Sequence, residues 1–355
     1  MTAAPFPSTA PGLPVAVGQI DRELKKLWDQ NGNFASRASL INLAIYCEGL
    51  EAMQRNTELI GRITQSHACR AILICVRPDE AVADVKAWIS AHCHVTRAGA
   101  KQTCCEQLTF LLDGPSSNLI PNIVFSHLDS DLPLYLWWQG EFPDSLDSQL
   151  WGWVDRLIYD SNDWRDRQAE LKQLRASLAE GQRRITLCDL NWTRTIYYRQ
   201  ALSLTFDHPP YLPHLGNLAE VELGHAPGYR STAQLLASWL AAQLHYESPA
   251  KNADGSEITF RRPNGEPVVF RFREQAGASV SEFTLRTKEG VSFRFTRDGN
   301  SDFLHADVDL ADGRTTRNLF PAGKDTLDGI LNEELQRGGL HRIYLKALNI
   351  AEGLF

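Results

Sequence analysis

The chain has 355 residues, of which 43% are hydrophobic and 9% aromatic, enough to build two cores of ordinary domain size. Its formal net charge of −7 argues against proteins that bind nucleic acids or anionic membranes, because both classes carry an excess of Lys and Arg. The sequence has no apolar run of the roughly 20 residues that a membrane helix needs and no recognisable signal peptide, so we expect a cytoplasmic protein whose partner is a protein or a small molecule.

The first part of the chain predicts parallel strands. Residues 1–20 are rich in Pro, Ala and Thr and are expected to form a flexible tail. A helix over 21–28 comes next, and then two apolar strands over 39–47 and 70–77 with a helix over 48–67 between them. A strand, a helix and a second strand in this order favour parallel pairing of the two strands.

Two long alternating runs, 84–96 and 102–112, predict an antiparallel hairpin. Residues 97–101 join them and form a glycine-containing loop of hairpin length. The first sheet is therefore expected to be mixed.

This hairpin also carries residue types that bind zinc. In one register His94 faces Cys104 and His92 faces Glu106, so four ligand types lie within cross-strand distance. A slip by one residue places Cys105 opposite His94 instead, and the sequence does not fix the register. The simpler interpretation is a half-buried strand that happens to carry His and Cys, and we predict no metal or cofactor.

The seven cysteines are single or adjacent rather than spaced as a disulfide framework. We therefore expect them to be small core residues in a reducing compartment. A redox pair of Cys104 and Cys105 is disfavoured because neighbours on a strand point to opposite faces.

Residues 131–140, Asp-Leu-Pro-Leu-Tyr-Leu-Trp-Trp-Gln-Gly, predict a strand that is covered on both sides. Tyr135 and Trp137 would face one side, while Trp138 would face the other together with the leucines. Trp137 and Trp138 are candidate partner-binding residues.

The remaining elements complete a first domain over 21–210. They are listed by range, in chain order: a helix over 119–128, a short helix over 146–154, a strand over 156–160, an amphipathic helix over 164–181 and an aromatic-rich helix over 189–206. We predict a mixed-sheet, Rossmann-like α/β domain.

A second domain over 211–355 is predicted after the proline-rich segment 208–213. It begins with a strand over 219–223 and a helix over 231–245. Alternating strands separated by Gly- and Asn-containing turns follow, at 257–262, 268–273, 281–286, 291–296 and 303–310. Helices over 325–337 and 341–352 would cover them, which gives an antiparallel-sheet α+β domain with C-terminal helices.

Linear catalytic motifs are absent from the sequence. It contains no G-x-G-x-x-G, no G-x-x-x-x-G-K-[ST], no H-E-x-x-H and no G-x-S-x-G. An enzyme or sensor for sugar phosphates or nucleotides stays an alternative, and its site would lie near Glu48, Pro78 or Gly140, at the carboxyl ends of the first-domain strands.

Two segments carry residue types that are enriched at protein interfaces. Within 189–200, Arg194, Tyr197 and Arg199 are candidates, although a helix in which the arginines pair inward is an equal alternative. On the outward face of the second-domain strands, Arg271 and Arg273 are candidates. A solvated face with cross-strand ion pairs is the simpler interpretation there.

Five ordered blocks resemble one family. They are His-Ala-Cys-Arg-Ala-Ile-Leu-Ile at 67–74, Cys-Cys-Glu-Gln at 104–107, the decapeptide at 131–140, Val-Asp-Arg-Leu-Ile-Tyr-Asp-Ser at 154–161, and Asp-Leu-Asn-Trp-Thr-Arg at 189–194 with Phe206-Asp207. The chain resembles the glucose-6-phosphate dehydrogenase assembly protein (OpcA) family, closely over 36–210 and more loosely in the second domain.

The resemblance implies a non-catalytic bacterial protein that binds glucose-6-phosphate dehydrogenase, favours its active oligomer and raises its activity in the oxidative pentose phosphate pathway. It also implies a possible link to thioredoxin, which is associated with cyanobacterial members. Two departures stand out: Ala68 replaces a frequent proline, and no cysteine follows Cys188. Redox control through second-domain thiols is therefore not expected.

Overall fold

The computed structural model describes residues 11–31, 35–95, 102–143, 148–180, 185–299, 301–339 and 341–355. The chain forms two compact units, Met1–Tyr159 with Gln173–Leu187 and Asp160–Lys172 with Cys188–Phe355. The division therefore lies near residues 160 and 188 rather than at the predicted position 210. Among the helices of the described residues, none is long and apolar enough to cross a membrane.

A nine-stranded mixed sheet forms the first layer. Its strands are β1 (Leu13–Val15), β2 (Ala35–Arg37), β3 (Ile41–Glu48), β4 (Cys69–Arg77), β5 (Asp84–Val95), β6 (Gln102–Asp113), β7 (Leu134–Trp138), β8 (Val154–Tyr159) and β9 (Thr186–Asp189). Their order is β1-β5-β6-β4-β3-β7-β8-β9, and β2 pairs with β6. The helices of this half of the chain are α1 (Ile20–Asn31), α2 (Leu50–Ile63), α3 (Ile120–His127), α4 (Ser148–Trp151) and α5 (Arg167–Glu180).

The centre of this sheet is parallel, as predicted. β3 pairs in parallel with β4 and β7, and β4 pairs in parallel with β6. Nearly every residue of β3 and β4 is buried, which explains their continuous apolar sequence. β5 and β6 form the predicted antiparallel hairpin, which makes the sheet mixed. The predicted loop 97–101 lies outside the described residues.

The prediction of a flexible tail over residues 1–20 is wrong for residues 13–15 and 20. Leu13, Pro14 and Val15 form β1 and pair antiparallel with β5, and α1 begins at Ile20. The edge of β5 offers unpaired backbone groups, which this short strand satisfies. Gly12 precedes β1 with a φ of +131°, and a Cβ there would collide with the carbonyl of Ile89. Residues 1–10 lie outside the described residues.

The second unit contains an eight-stranded sheet. Its strands are β10 (Leu218–His225), β11 (Glu247–Lys251), β12 (Glu257–Arg261), β13 (Pro267–Glu274), β14 (Val280–Thr287), β15 (Ser292–Thr296), β16 (Phe303–Asp309) and β17 (Thr315–Pro321), in the order β11-β12-β13-β10-β14-β15-β16-β17. The helices are α6 (Leu190–Thr193), α7 (Ile196–Phe206), α8 (Arg230–Gln243), α9 (Leu327–Gln336) and α10 (Arg342–Ala351).

The second sheet is mixed rather than purely antiparallel. β10 lies between β13 and β14 and runs parallel to β13, so the predicted antiparallel order of the strands is interrupted at this position. Because β10 and β13 are separated by α8 and two further strands, the chain can return to the sheet in the same direction. β11 and β17 were not predicted from the sequence.

Apolar and polar side chains alternate along the strands of the second sheet, so one face of the sheet is buried and the other is open to solvent. Five phenylalanines fill the buried face and are fully enclosed: Phe260, Phe270, Phe283, Phe293 and Phe295. α8 contacts β10 and β13 and is itself covered by α10, while α7 contacts β15, β16 and β17. α6 packs on α8 and α9, which places the segment after Asp189 in the second unit. The opposite face carries charged side chains.

Candidate functional site

The paired tryptophans of β7 are core residues. Trp137 is 3% exposed and Trp138 is 6% exposed, so both faces of the strand are covered as predicted. Trp138 stacks on Tyr46 with ring centroids 3.8 Å apart and donates its Nε1 hydrogen to the Glu141 carbonyl at 3.0 Å. Both side chains are therefore enclosed in the folded chain and offer almost no area to a partner.

Arg194 is the cation of a buried ion pair. Its two terminal nitrogens donate to the carboxylate oxygens of Asp160 at 2.8 and 2.6 Å, and its side chain is 7% exposed. The guanidinium also lies over the ring of Tyr229, 5.5 Å from the centroid. Of the two alternatives for the segment 189–200, the one in which the arginines pair inward is correct for Arg194. Its side chain therefore lies away from the surface.

A buried hydrogen-bond network surrounds Asp189 next to this pair. Its carboxylate accepts from the backbone and hydroxyl of Ser161 at 3.0 and 2.7 Å, from the Asn191 backbone at 2.9 Å and from the Tyr344 hydroxyl at 3.0 Å. Burial, followed by the charge of Asp160, raises the pKa of Asp189 to about 7, while the bonds from Ser161 and Tyr344 act in the opposite direction. Asp189 is also the N-cap of α6.

Tyr197 and Arg199 are half-buried. The Tyr197 hydroxyl donates to Glu333 at 2.7 Å. The Arg199 guanidinium lies 3.7 Å from the ring centroid of Trp192 and donates to the Thr195 hydroxyl at 2.9 Å. Trp192 and Arg199 therefore contact each other, and this contact serves packing within the chain.

Arg271 and Arg273 lie on the open face of the second sheet, as predicted. Their side chains are 37% and 66% exposed. Arg271 pairs with Glu220 and, at 2.6 Å, with Glu257. Arg273 pairs with Glu222 at 2.6 Å. These cross-strand ion pairs leave both guanidinium groups in contact with solvent, so these two candidates remain available to a partner.

A row of alternating charge crosses this open face. Directly opposed residues on seven successive strands make up the row, in the order Glu257, Arg271, Glu222, Thr284, Arg294, Asp307 and Arg317. We call this set the charged row. Negative and positive side chains alternate on both sides of Thr284, and two of the opposed pairs form ion pairs: Glu257 with Arg271 at 2.6 Å and Asp307 with Arg317 at 3.5 Å.

Sequence reasoning identified only part of the charged row. Arg271 was recognised on the outward face, but Glu222, which is buried between Arg273 and Arg286, was missed. The polar alternation within 219–223 carried the signal. This alternation did not show that Glu222 joins the charged row, because the row forms only when β10 inserts between β13 and β14. No local sequence pattern encodes that insertion.

The hairpin does not bring together the four ligand types considered in the sequence analysis. In the observed register His92 opposes Cys105, Cys93 opposes Cys104 and His94 opposes Thr103, so neither proposed pairing of His94 occurs. His94 instead contacts Thr64 at 3.1 Å. Cys104 lies on the opposite face of the strand from both histidines, because side chains alternate along a strand.

Cys93 and Cys104 form a disulfide, which corrects the expectation that all cysteines are free. The direct cross-strand pairing brings their Cα atoms to 4.0 Å. The other cysteines are free and buried, as predicted for core residues: Cys47, Cys69, Cys75, Cys105 and Cys188.

One group of possible metal ligands was not foreseen. Donor atoms of Cys188, Glu334 and His341 lie within 4.8 Å of one another in the described residues. Glu334 and His341 are 3.3 Å apart, and the Thr193 hydroxyl donates to Glu334 at 2.7 Å. The contact between Glu334 of α9 and His341, which precedes α10, accounts for the proximity of these two residues without an ion. Sequence spacing could not reveal it, because the three residues belong to three separate elements.

The carboxyl ends of β3 and β4 border a cavity of about 510 Å³, where the alternative enzyme hypothesis placed its site. Glu48, Asp79 and Glu80 line it together with Pro78 and Arg77. The guanidinium of Arg77 is already ion-paired at 2.7 and 2.8 Å. Carboxylates dominate the free charge of this cavity, which disfavours the phosphate groups of nucleotides and sugar phosphates.

Family models identify both halves of the chain. One describes the N-terminal domain of the glucose-6-phosphate dehydrogenase subunit and matches residues 61–176. The other describes the C-terminal domain of the same subunit and matches residues 185–348. The chain belongs to the glucose-6-phosphate dehydrogenase assembly protein (OpcA) family. The resemblance inferred from the five sequence blocks is therefore confirmed.

No curated protein matches the sequence of this OpcA family member. Three solved structures to which the chain is similar at low sequence identity are dehydrogenases. Levoglucosan dehydrogenase in complex with NADH and L-sorbose is 12% identical, covers 88% of each chain and has a TM-score of 0.43. A dehydrogenase from Chromobacterium violaceum is 11% identical over 89% of this chain and 93% of its own, with a TM-score of 0.45. UDP-N-acetylglucosamine 3-dehydrogenase from Acidithiobacillus ferrooxidans is 11% identical over 90% of this chain and 96% of its own, with a TM-score of 0.47.

Proposed function

We propose that this protein is a non-catalytic assembly factor and allosteric activator of glucose-6-phosphate dehydrogenase, acting in the cytoplasm in the oxidative pentose phosphate pathway. Membership of the OpcA family over 61–176 and 185–348 is the observation that carries the proposal. The protein would bind the dehydrogenase, stabilise its active oligomer and leave the chemistry to it.

The open face of the second sheet is the proposed docking surface for the dehydrogenase. Arg271 and Arg273 are the sequence candidates that stay exposed, whereas Trp137, Trp138 and Arg194 are buried in the folded chain. The mixed signs of the charged row suit specific recognition, because each misaligned docking brings like charges together. Arg294 lies near the middle of the row and is exposed.

Activation by such a protein follows from binding linkage. A protein that binds one state of the dehydrogenase more tightly than another shifts the equilibrium by the difference in binding free energy. A ratio of about 100 between the two affinities corresponds to roughly 2.7 kcal/mol, enough to turn a minor active oligomer into the major one. This requires a complementary surface and no catalytic side chain.

A binding experiment tests the proposal. The purified chain and its dehydrogenase are mixed at micromolar concentrations and run on a sizing column with light scattering. We expect one complex whose mass contains both proteins, and a larger share of the higher dehydrogenase oligomer than without the chain. Separate elution of the two proteins, with an unchanged dehydrogenase mass, would refute the proposal.

The alternative of an enzyme or sensor acting at the first-unit strand ends is not favoured by the structure. The acidic lining of the cavity near Glu48 and Pro78 opposes binding of phosphate groups, as described above.

A further inference from the structure

A cavity of about 440 Å³ in the second unit has a basic lining. Arg167, Arg230 and Lys251 contribute the positive charges, and Asp254 contributes a carboxylate. The volume falls within the range of pockets that hold small metabolites. This cavity is separate from the open sheet face and takes no part in the docking proposed above.

Three different elements bring the basic residues together. Arg167 is the first residue of α5, Arg230 is the first residue of α8, and Lys251 is the last residue of β11. Gly228, with a φ of +81°, turns the chain into α8 at the wall of the cavity. The convergence therefore depends on the fold of the second unit and not on a run of basic sequence.

No side-chain carboxylate of the described residues forms an ion pair with these three cations, while the more distant carboxylates of Asp160, Asp163 and Asp189 attract the charge of Arg167. Within the described ranges, none of the ion pairs of 4.0 Å or less involves Arg167, Arg230 or Lys251. Arg167 donates to the main-chain oxygens of Ser161 and Asn162 at 2.9 and 3.0 Å. Such acceptors orient a guanidinium and leave its charge in place.

The other two cations also contact main-chain oxygens. Arg230 donates to the Gly255 carbonyl, and the Lys251 ammonium lies 3.4 Å from the main-chain oxygen of Phe355. Burial and the charge of Arg230 lower the pKa of Lys251, which shows that the two cations repel each other across the cavity. An anion between them would relieve this repulsion.

Asp254, whose side-chain carboxylate lines the cavity, is hydrogen-bonded within its own turn. Asp254 is exposed and accepts hydrogen bonds from the Ser256 backbone at 2.8 Å and the Ser256 hydroxyl at 2.7 Å. These bonds hold the pKa of Asp254 below its ordinary value. Asp254 therefore stays negative at neutral pH, and the three cationic side chains of the lining outnumber it.

The N-terminus of α8 adds to the positive electrostatic potential of the cavity. The helix has 14 residues, and its N-cap, Tyr229, makes no side-chain hydrogen bond to the first-turn amides. Arg230 and Ser231, the first two residues of the helix, both line the cavity. The partial positive charge of the helix N-terminus thus lies on the same side as the basic side chains.

We propose that this cavity binds a small phosphate-bearing anion, whose phosphate is held between Arg230 and Lys251 at the start of α8. Arg167 supplies further positive charge, and Leu354 and Phe355 form an apolar wall beside the phosphate. The site exceeds the space that one phosphate group fills, which favours a phosphomonoester with an organic part over inorganic phosphate. The protein thereby has a metabolite-binding site in addition to its proposed docking surface.

Calorimetric titration of the full-length chain at low ionic strength tests this site. The probes are inorganic phosphate and glucose 6-phosphate, with glucose as the uncharged control. We expect saturable binding of a phosphate compound and none of glucose. Tighter binding of glucose 6-phosphate identifies an organic ester as the ligand class, whereas equal or tighter binding of inorganic phosphate identifies the free ion.

Variants locate the binding. Lys251→Ala and Arg230→Gln should each weaken phosphate binding at least tenfold, because each removes one of the two bracketing charges. Lys25→Ala, which removes an exposed charge from α1 in the first unit, should leave the binding unchanged. Lys251 is exposed, so its substitution should preserve the fold, and a thermal melt checks this.

Absence of saturable binding for both phosphates would overturn the proposal, and so would equal affinity in Lys251→Ala, Arg230→Gln and Lys25→Ala. The titration uses the chain alone, without the dehydrogenase. Its failure would therefore leave the proposed assembly function untouched.

Discussion

The carboxylate of Asp160 and the guanidinium of Arg194 form a bidentate ion pair inside the second unit, with oxygen–nitrogen distances of 2.8 and 2.6 Å. Their side chains are 8% and 7% exposed. A charge in such a place depends on its partner, because water cannot replace the partner when it is lost. Arg194 therefore serves the stability of the fold.

Arg194→Ala is expected to lower the free energy of unfolding by about 3–5 kcal/mol, since it leaves Asp160 buried without a counter-charge. Arg271→Ala is the control, because it removes an arginine from exposed ion pairs and should cost only about 0–1 kcal/mol. Urea unfolding followed by tryptophan fluorescence measures both values. Equal stability of the two variants would show that the buried pair contributes little.

The pH dependence of stability should reflect Asp113. Arg77 donates two hydrogen bonds of 2.7 Å to this carboxylate, and they hold its pKa below the ordinary value. A lowered folded-state pKa adds stability above the unfolded-state pKa of about 4, and this stability is lost as the pH falls through the folded-state pKa.

Between about pH 5 and pH 3, the unmodified chain should therefore lose more stability than Asp113→Asn, which has no charge to lose at this position. Unfolding in urea at each pH measures the two slopes. Parallel curves for the two proteins would contradict the role assigned to Arg77 and Asp113.

Replacing a cysteine of the disulfide should lower the free energy of unfolding under oxidising conditions and leave it unchanged under reducing conditions. Cys93 and Cys104 lie 11 positions apart, and closing a loop of this size in the unfolded chain is worth about 2–3 kcal/mol. Cys93→Ser should show this loss without reductant, and the difference from the unmodified chain should vanish when both proteins are reduced. A loss of the same size under reducing conditions would point to packing of Cys93 instead.

Charge reversal at the centre of the charged row should weaken binding of the dehydrogenase. Arg294→Glu places a negative charge opposite Asp307, and it should reduce the affinity for the dehydrogenase at least tenfold while leaving the fold intact. Arg55→Glu is the matched control, since Arg55 is an exposed arginine of α2 with a 72% exposed side chain. Equal affinity of both variants, measured by biolayer interferometry, would place the docking surface elsewhere.

Local patterns predicted the fold well where each strand carries its own signal. β12 to β16 alternate apolar and polar residues and are separated by turn sequences, so their bounds were close to those observed. β11 and β17 lack this alternation, and every residue of β17 except Phe320 is exposed. They pair only because a neighbouring strand has an open edge. The insertion of β10 beside β13 depends on pairing between distant segments, which periodicity does not encode.

The residues of the candidate site were likewise predicted correctly only where a local pattern determines their position. Residue type and position on the strands placed Arg271 and Arg273 on the outward face correctly. For Arg194, composition suggested a surface contact, but its partner Asp160 lies 34 positions away and is invisible to local spacing. The register of the hairpin was open in the sequence for a similar reason, because alternation along two strands fits more than one register and does not single out the pairing of Cys93 with Cys104.

The initial rate of glucose-6-phosphate dehydrogenase, measured at limiting glucose 6-phosphate while the chain is added in increasing amounts, tests the central claim most directly. We expect the rate to rise and to reach a plateau when the dehydrogenase is saturated, with no turnover by the chain alone. A rate that stays constant across the concentrations at which the two proteins form a complex would contradict the claim that binding favours the active state.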